Sequence, residues 1–169
     1  MKKGFKLSSA NSINWGRLLP QIVYYFSAYA DLVNDKKITM GDKVNFTVPT
    51  GNFGDILAGF YAKCMGLPVN RLICASNSNN VLTDFLKTGT YDRNREFFKT
   101  ISPSMDILIS SNLERLLYHI TNDATKSKIL YGKTSINRLL SIDEATLIAI
   151  QETFSAGYLD DSATKKMYS

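Results

Sequence analysis

Val44-Asn45-Phe46-Thr47-Val48-Pro49-Thr50-Gly51-Asn52-Phe53-Gly54-Asp55-Ile56-Leu57 is the stretch on which the fold of this chain turns. The β-branched and aromatic run up to Val48 predicts a strand from Lys43 to Val48. After Asp55, the residues Ile56, Leu57, Phe60, Tyr61 and Cys64 recur at helical spacing, and Gly66 and Pro68 mark a stop, so a helix is expected from Ile56 to Met65. Between the two lies Gly51-Asn52-Phe53-Gly54-Asp55. Glycines at both ends let the backbone reach positive φ and bring several N–H groups toward a ligand, and the free amides and dipole of a helix N-terminus favour an anion such as phosphate. A Gly-x-x-Gly turn before a helix is also the ordinary way to connect a strand to a helix, with Asp55 as an acid in the first turn. The motif alone leaves both readings open.

Outward from this loop, strand and helix alternate. Arg71 to Ala75 reads as a second strand, and strand, helix, strand in that order require a crossover. The strands should therefore run parallel, with the loop at their carboxyl end, where open α/β sheets bind ligands. Upstream, Leu18, Leu19, Ile22, Val23, Phe26 and Tyr29 predict an amphipathic helix from Arg17 to Val33, which Pro20 kinks unless it lies in the first turn. Downstream, a helix from Asn80 to Lys87 closes at Gly89. A charged irregular segment follows from Tyr91 to Glu96, and then a short strand from Asp106 to Ile109. Ser111-Asn112-Leu113-Glu114 and Ser141-Ile142-Asp143-Glu144 have capping-box spacing. They predict one helix with Leu113, Leu116, Leu117 and Ile120 on a face and a second that runs through Phe154 and stops at Gly157. Asp161-Ser162-Ala163-Thr164 resembles the cap of a final helix, cut off after about two turns at Ser169, as in a chain truncated at that end. The expected class is α/β, a three-layer open and mostly parallel sheet flanked by helices.

Composition narrows the function. The chain has 169 residues, 44% hydrophobic and 21% charged, enough for one sizeable core. Its net charge of +5 is spread over Lys36-Lys37, Arg93, Arg95, Lys126, Lys128 and Lys165-Lys166, a scatter that describes solvated surface rather than a nucleic-acid face. Cys64 and Cys74 sit on a helix and a strand as buried thiols with a single histidine, His119, elsewhere, which gives no metal-ligand spacing and suits a cytoplasmic protein. His119 reads as a surface or boundary residue. Gly132-Lys133-Thr134 lacks the earlier glycine of a P-loop, since Ser127 stands there. Tyr24, Tyr25, Phe26 and Tyr29 have the spacing of core contacts rather than of a base-stacking platform. Met1-Lys2-Lys3-Gly4-Phe5-Lys6 runs into polar Ser8-Ser9-Ala10-Asn11, not an apolar signal core, and the apolar stretch from Leu18 to Phe26 is too short to span a bilayer.

Two long segments resemble threonine synthase, a pyridoxal-phosphate enzyme of the tryptophan-synthase-β-like fold: Ser8-Ser9-Ala10-Asn11-Ser12-Ile13-Asn14-Trp15-Gly16-Arg17-Leu18-Leu19-Pro20-Gln21 and Val48 through Gly59. The resemblance continues through Cys74-Ala75-Ser76-Asn77, Asn80 to Phe85 and Ser104-Met105-Asp106-Ile107-Leu108, and fades after about Tyr118. It implies that residues 1–169 are part of the family's larger, fold-type II domain, with 1–8 a flexible start and 120–169 a helical, less similar end.

What the resemblance implies about chemistry is specific. Gly51, Asn52, Phe53 and Gly54 would receive the 5′-phosphate of pyridoxal phosphate through backbone amides and the Asn52 side chain. Asp55 would have to turn its carboxylate aside, because it would otherwise repel that phosphate. Ser12, Asn14 and Arg17 would face the substrate, O-phospho-L-homoserine, or hold the cofactor subdomain, although Ser12 or Asn14 fits an N-cap equally well. The family's Schiff-base lysine lies in a Phe-Lys-Asp type motif N-terminal of the first shared segment, so no lysine here inherits that role, no catalytic residue is assigned, and this chain alone is expected to be inactive. Two alternatives remain: a related pyridoxal-phosphate lyase of the same fold, and a noncatalytic phosphate-binding or interaction domain derived from it. Apolar faces left by the absent remainder of a domain would favour self-association.

Overall fold

The computed structural model describes residue 11 and residues 13–123 and 139–167. Helix α1 is Trp15–Asn34, strand β1 is Val44–Pro49, helix α2 is Gly54–Cys64 and strand β2 is Val69–Ser76. Then come helix α3, Val81–Thr88; strand β3, Thr90–Asp92; a 3₁₀ turn, Pro103–Met105; and helix α4, Leu113–Thr121. Strand β4 is Leu139–Ser141, helix α5 is Glu144–Gln151, strand β5 is Phe154–Tyr158 and helix α6 is Asp161–Lys166.

The main sheet has the order β1-β2-β5, with both pairs parallel. Val48 lies opposite Cys74, and Cys74 opposite Ala156, so the strands end together beside the Gly51 loop. β3 and β4 form a separate antiparallel pair, with Tyr91 opposite Leu140. The core is continuous: Leu18, Ile22, Tyr25 and Tyr29 of α1 meet Ile56, Leu57, Ala58 and Ala62 of α2, the sheet residues Leu72, Cys74 and Phe154, and Leu113, Leu116 and Leu117 of α4. Pro20 sits six residues into α1, beyond the first turn, where it removes the N–H that would bond Gly16. Gly59 is where α1 approaches α2, and a Cβ there would stand 2.6 Å from Cε1 of Tyr25 and 2.9 Å from Leu72. Among the described residues no helix is long and apolar enough to cross a membrane.

Four local expectations need correction. Asp106 to Ile109 is not a strand, because Asp106 is occupied in holding the turn before it. The helix expected to run through Phe154 ends at Gln151, and Phe154 to Tyr158 is the third parallel strand, its phenylalanine fully buried beside Phe53. Residues 120–169 thus hold two strands among their described part, not helices alone. Neither serine caps a helix: α4 starts from Asn112, while Asp143 caps α5 by accepting a hydrogen bond from Thr146 N at 2.8 Å. Finally, Cys64 is exposed, and only Cys74 is buried. Gly132-Lys133-Thr134 and residues 1–8 lie outside the described residues.

Candidate functional site: an anion cradle at the carboxyl end of the sheet

The loop between β1 and α2 has the predicted position and a different backbone. Neither Gly51 nor Gly54 has positive φ; Phe53 carries it, at φ 63° and ψ 11°. Its ring is fully buried and tilts against Phe154 at 5.6 Å between centroids, which anchors a conformation that a phenylalanine disfavours. Gly51 is needed for space instead: a Cβ there would lie 3.0 Å from Ser104 O and 3.1 Å from Ile107 Cδ1. The 3₁₀ turn therefore rests directly on the loop and walls one side of it.

This arrangement leaves the amides from Asn52 to Ile56 without hydrogen-bond acceptors among the described residues, the first helical bond being Leu57 N to Phe53 O. The side chain of Asn52 is likewise uncommitted among the described residues and lines a cavity of about 230 Å³ together with Gly51, Phe53, Gly54, Ser104, Ile107 and Arg17. Sites that enclose a whole small ligand run to roughly 300–1,000 Å³. This cavity suits one anionic end of such a ligand, with the helix N-terminus and the Arg17 guanidinium supplying positive potential.

Asp55 also lines this cavity, and its carboxylate is met from the side by Tyr25. Tyr25 donates its hydroxyl to Asp55 O at 2.9 Å and lies 3.3 Å from Oδ1. Burial raises the Asp55 carboxyl above its ordinary value, and the Tyr25 hydrogen bond works in the opposite direction. The same burial, reinforced by the negative charge of Asp55, raises the Tyr25 phenol.

The wall is held by Asp106. Its Oδ1 accepts from Asn77 Nδ2 at 2.7 Å, Thr100 Oγ1 at 2.8 Å and Asn79 Nδ2 at 3.1 Å, and its Oδ2 accepts from Thr100 N at 3.0 Å. Partial burial works to raise this carboxyl, but the bonds from Thr100, Asn77 and Asn79 outweigh it and hold the group below the ordinary carboxylate range.

Of the residues expected to face a substrate, Arg17 lines the cavity and Asn14 does not. Asn14 is the N-cap of α1, its Oδ1 accepting from Gly16 N at 2.9 Å, and Ser12 lies outside the described residues. The sequence reading missed Ser110 and Asn112, which reach the loop from behind. Ser110 Oγ donates to Gly51 O at 2.6 Å, and Asn112 donates to Asn52 O from its backbone N at 3.1 Å and from Nδ2 at 3.0 Å. They lie about 60 residues from their partners, and the only local signal was a capping pattern that does not form.

No family model matches the chain. "Threonine synthase-like 1" of Homo sapiens is 51% identical over 160 residues, covering 94% of this chain and 22% of that protein. Threonine synthase of Saccharomyces cerevisiae is 50% identical over 117 residues, 69% of this chain and 22% of the enzyme. A crystal structure of pyridoxal-phosphate-bound threonine synthase from Brucella melitensis superposes with a TM-score of 0.84 at 46% identity, covering 94% of this chain and 33% of that one. The chain matches a segment of the threonine synthases. The parallel β1-β2-β5 sheet is the one expected from the crossover around the Gly51 loop, and the likeness to the solved threonine synthase gives the fold that the resemblance implied. The chain spans about a fifth of the length of these curated relatives and a third of the solved structure.

Proposed function

We propose that this segment supplies the phosphate end of a pyridoxal-phosphate site and that the protein to which it belongs converts O-phospho-L-homoserine and water to L-threonine and phosphate. The observation that carries this reading is the row of uncommitted amides from Asn52 to Ile56, set at a helix N-terminus beside Arg17. Gly51, Asn52, Phe53 and Gly54 hold the phosphate in this reading, with Asn52 adding its side-chain amide. Pyridoxal phosphate, when bound, supplies an electron sink for the proton losses that precede departure of the substrate phosphate. What these residues contribute is anchorage: a fixed anion site from which the rest of the ligand projects, with the Asp106 turn closing one side. Arg17 is assigned to an anionic group, while Asn14 serves chiefly as a cap. The chain by itself is expected to be inactive, since no lysine on it is assigned to the cofactor's aldehyde.

The test is a titration of the purified chain with pyridoxal phosphate, followed by absorbance and by borohydride treatment, with Asn52→Ala in parallel. Reversible binding that leaves no adduct after borohydride and weakens at least tenfold in the variant supports the reading. An adduct on one lysine would overturn the assignment of the chemistry to another part of the protein, and failure of the wild-type chain to bind would overturn the cradle in this chain.

A further inference from the structure

Ser110 and Asn112 do not line the anion cavity; they are buried behind it, 0% and 1% exposed. In a trans peptide the carbonyl of one residue and the N–H of the next point in opposite directions, and no peptide described here is cis. The hydrogen bond from Ser110 Oγ to Gly51 O therefore fixes which way the Asn52 N–H points. The two bonds from Asn112 to Asn52 O do the same for the Phe53 N–H. Both amides are thereby turned away from Ser110 and Asn112, in a loop whose Asn52 and Phe53 line the cavity. Both clamps are themselves held. Tyr91, fully buried, accepts from Ser110 N at 2.9 Å and donates to Leu108 O at 2.9 Å. Arg115 donates to Asn112 Oδ1 at 2.6 Å, which orients the amide so that Nδ2 faces the loop, and also to Ile13 O.

We propose that Ser110 and Asn112 are positioning residues of the cradle, aiming the Asn52 and Phe53 amides at the bound phosphate, and that Arg115 couples this hold to the start of α1 next to Arg17. The inference rests on the phosphate reading of the loop. Its physical content is preorganisation: an anion gains most from N–H groups that need no reorientation when it arrives. A loop carrying a strained Phe53 has other arrangements open to it, and the clamps remove them.

The experiment compares the wild-type chain with Ser110→Ala, Asn112→Ala and a control, Leu117→Ala, which truncates the buried face of the same helix. Binding of pyridoxal phosphate and of inorganic phosphate is measured at a temperature where circular dichroism shows each variant folded. The unliganded amide resonances of Asn52 and Phe53 are recorded by NMR. Loss of about tenfold in affinity in the first two variants, with shifted or broadened Asn52 and Phe53 resonances, is the expected result, while Leu117→Ala lowers the unfolding temperature and leaves both readouts unchanged. Affinity within twofold of wild type in both clamp variants would overturn the proposal, as would an equal loss in Leu117→Ala. Should Ser110→Ala fail to fold, Ser110→Cys, nearly isosteric and a weaker donor, takes its place under the same criteria. If the wild-type chain binds neither ligand, the phosphate reading fails separately, and the resonances decide the clamp: unchanged in both variants, it falls; displaced there and not in Leu117→Ala, it stands.

Discussion

Phe53 and Asp55 make the loop unlike a plain strand-to-helix connection. A left-handed backbone costs a non-glycine residue roughly 1–2 kcal/mol, and at Phe53 this is offset by a ring with no exposed surface, packed on Phe154. Phe53→Ala keeps the strain and loses the anchor, so urea denaturation should report a loss of about 3–5 kcal/mol. A loss below about 1 kcal/mol would mean the ring is not what holds the turn. At Asp55 the concern is charge. Its carboxyl is raised by burial, so its ionisation is more costly in the folded than in the unfolded chain. The sign follows: stability is full below the unfolded value and declines as pH rises through the raised folded one. Asp55→Asn should flatten that decline in thermal unfolding followed from acid to neutral pH, and should also bind inorganic phosphate more tightly at neutral pH, because it removes an anion from the mouth of the cradle. Weaker phosphate binding in Asp55→Asn would show that the carboxylate organises the site rather than opposing the ligand.

Elements were legible in the sequence where one local pattern decided them, and illegible where a distant partner did. β1, the Gly51 loop, α2 and β2 follow from a β-rich run, two glycines and a helical repeat within some thirty residues. Phe154 to Tyr158 did not, because Leu147, Ile150 and Phe154 continue a helical spacing and only pairing with Leu72 to Ser76 makes that segment a strand. The site divides in the same way. Gly51 to Gly54 and Arg17, singled out in the sequence, line one cavity, but the positive φ expected of the glycines falls on Phe53 instead. Ser110 and Asn112 act across the fold, where no sequence spacing marks them. At the packing of α1 on α2, Gly59 is the deciding position. Gly59→Ala puts a methyl group into the Tyr25 ring and Leu72, and overpacking of this kind costs typically 1–3 kcal/mol. Since Tyr25 also holds Asp55, chemical denaturation should show that loss together with a changed tyrosine fluorescence; an unchanged midpoint would mean the two helices can part without strain.

For the molecule as a whole, α1 matters on two faces. Leu18, Ile22, Tyr25 and Tyr29 enter the core, whereas Leu19 and Val23, drawn from the same predicted stripe, are 50% and 62% exposed, with Tyr24 and Trp15 beside them. A helix apolar on two adjoining faces is suited to burial on both. The sheet adds to this, since β1 and β5 are its outer strands and each has one unpaired side among the described residues. A net charge of +5 over 169 residues opposes close approach of two copies only weakly once salt screens it beyond about 10 Å. The isolated chain is therefore expected to self-associate through the Leu19 and Val23 face. Light scattering over a range of protein concentrations should show a rising mass, and Leu19→Lys combined with Val23→Lys should return it to that of a monomer while circular dichroism stays unchanged, since both side chains stand outside the core. A wild-type chain that remains monomeric and compact at every concentration would sink the idea. A variant that still associates would move the contact from α1 to the sheet edges, where unpaired backbone groups rather than apolar side chains would join the copies.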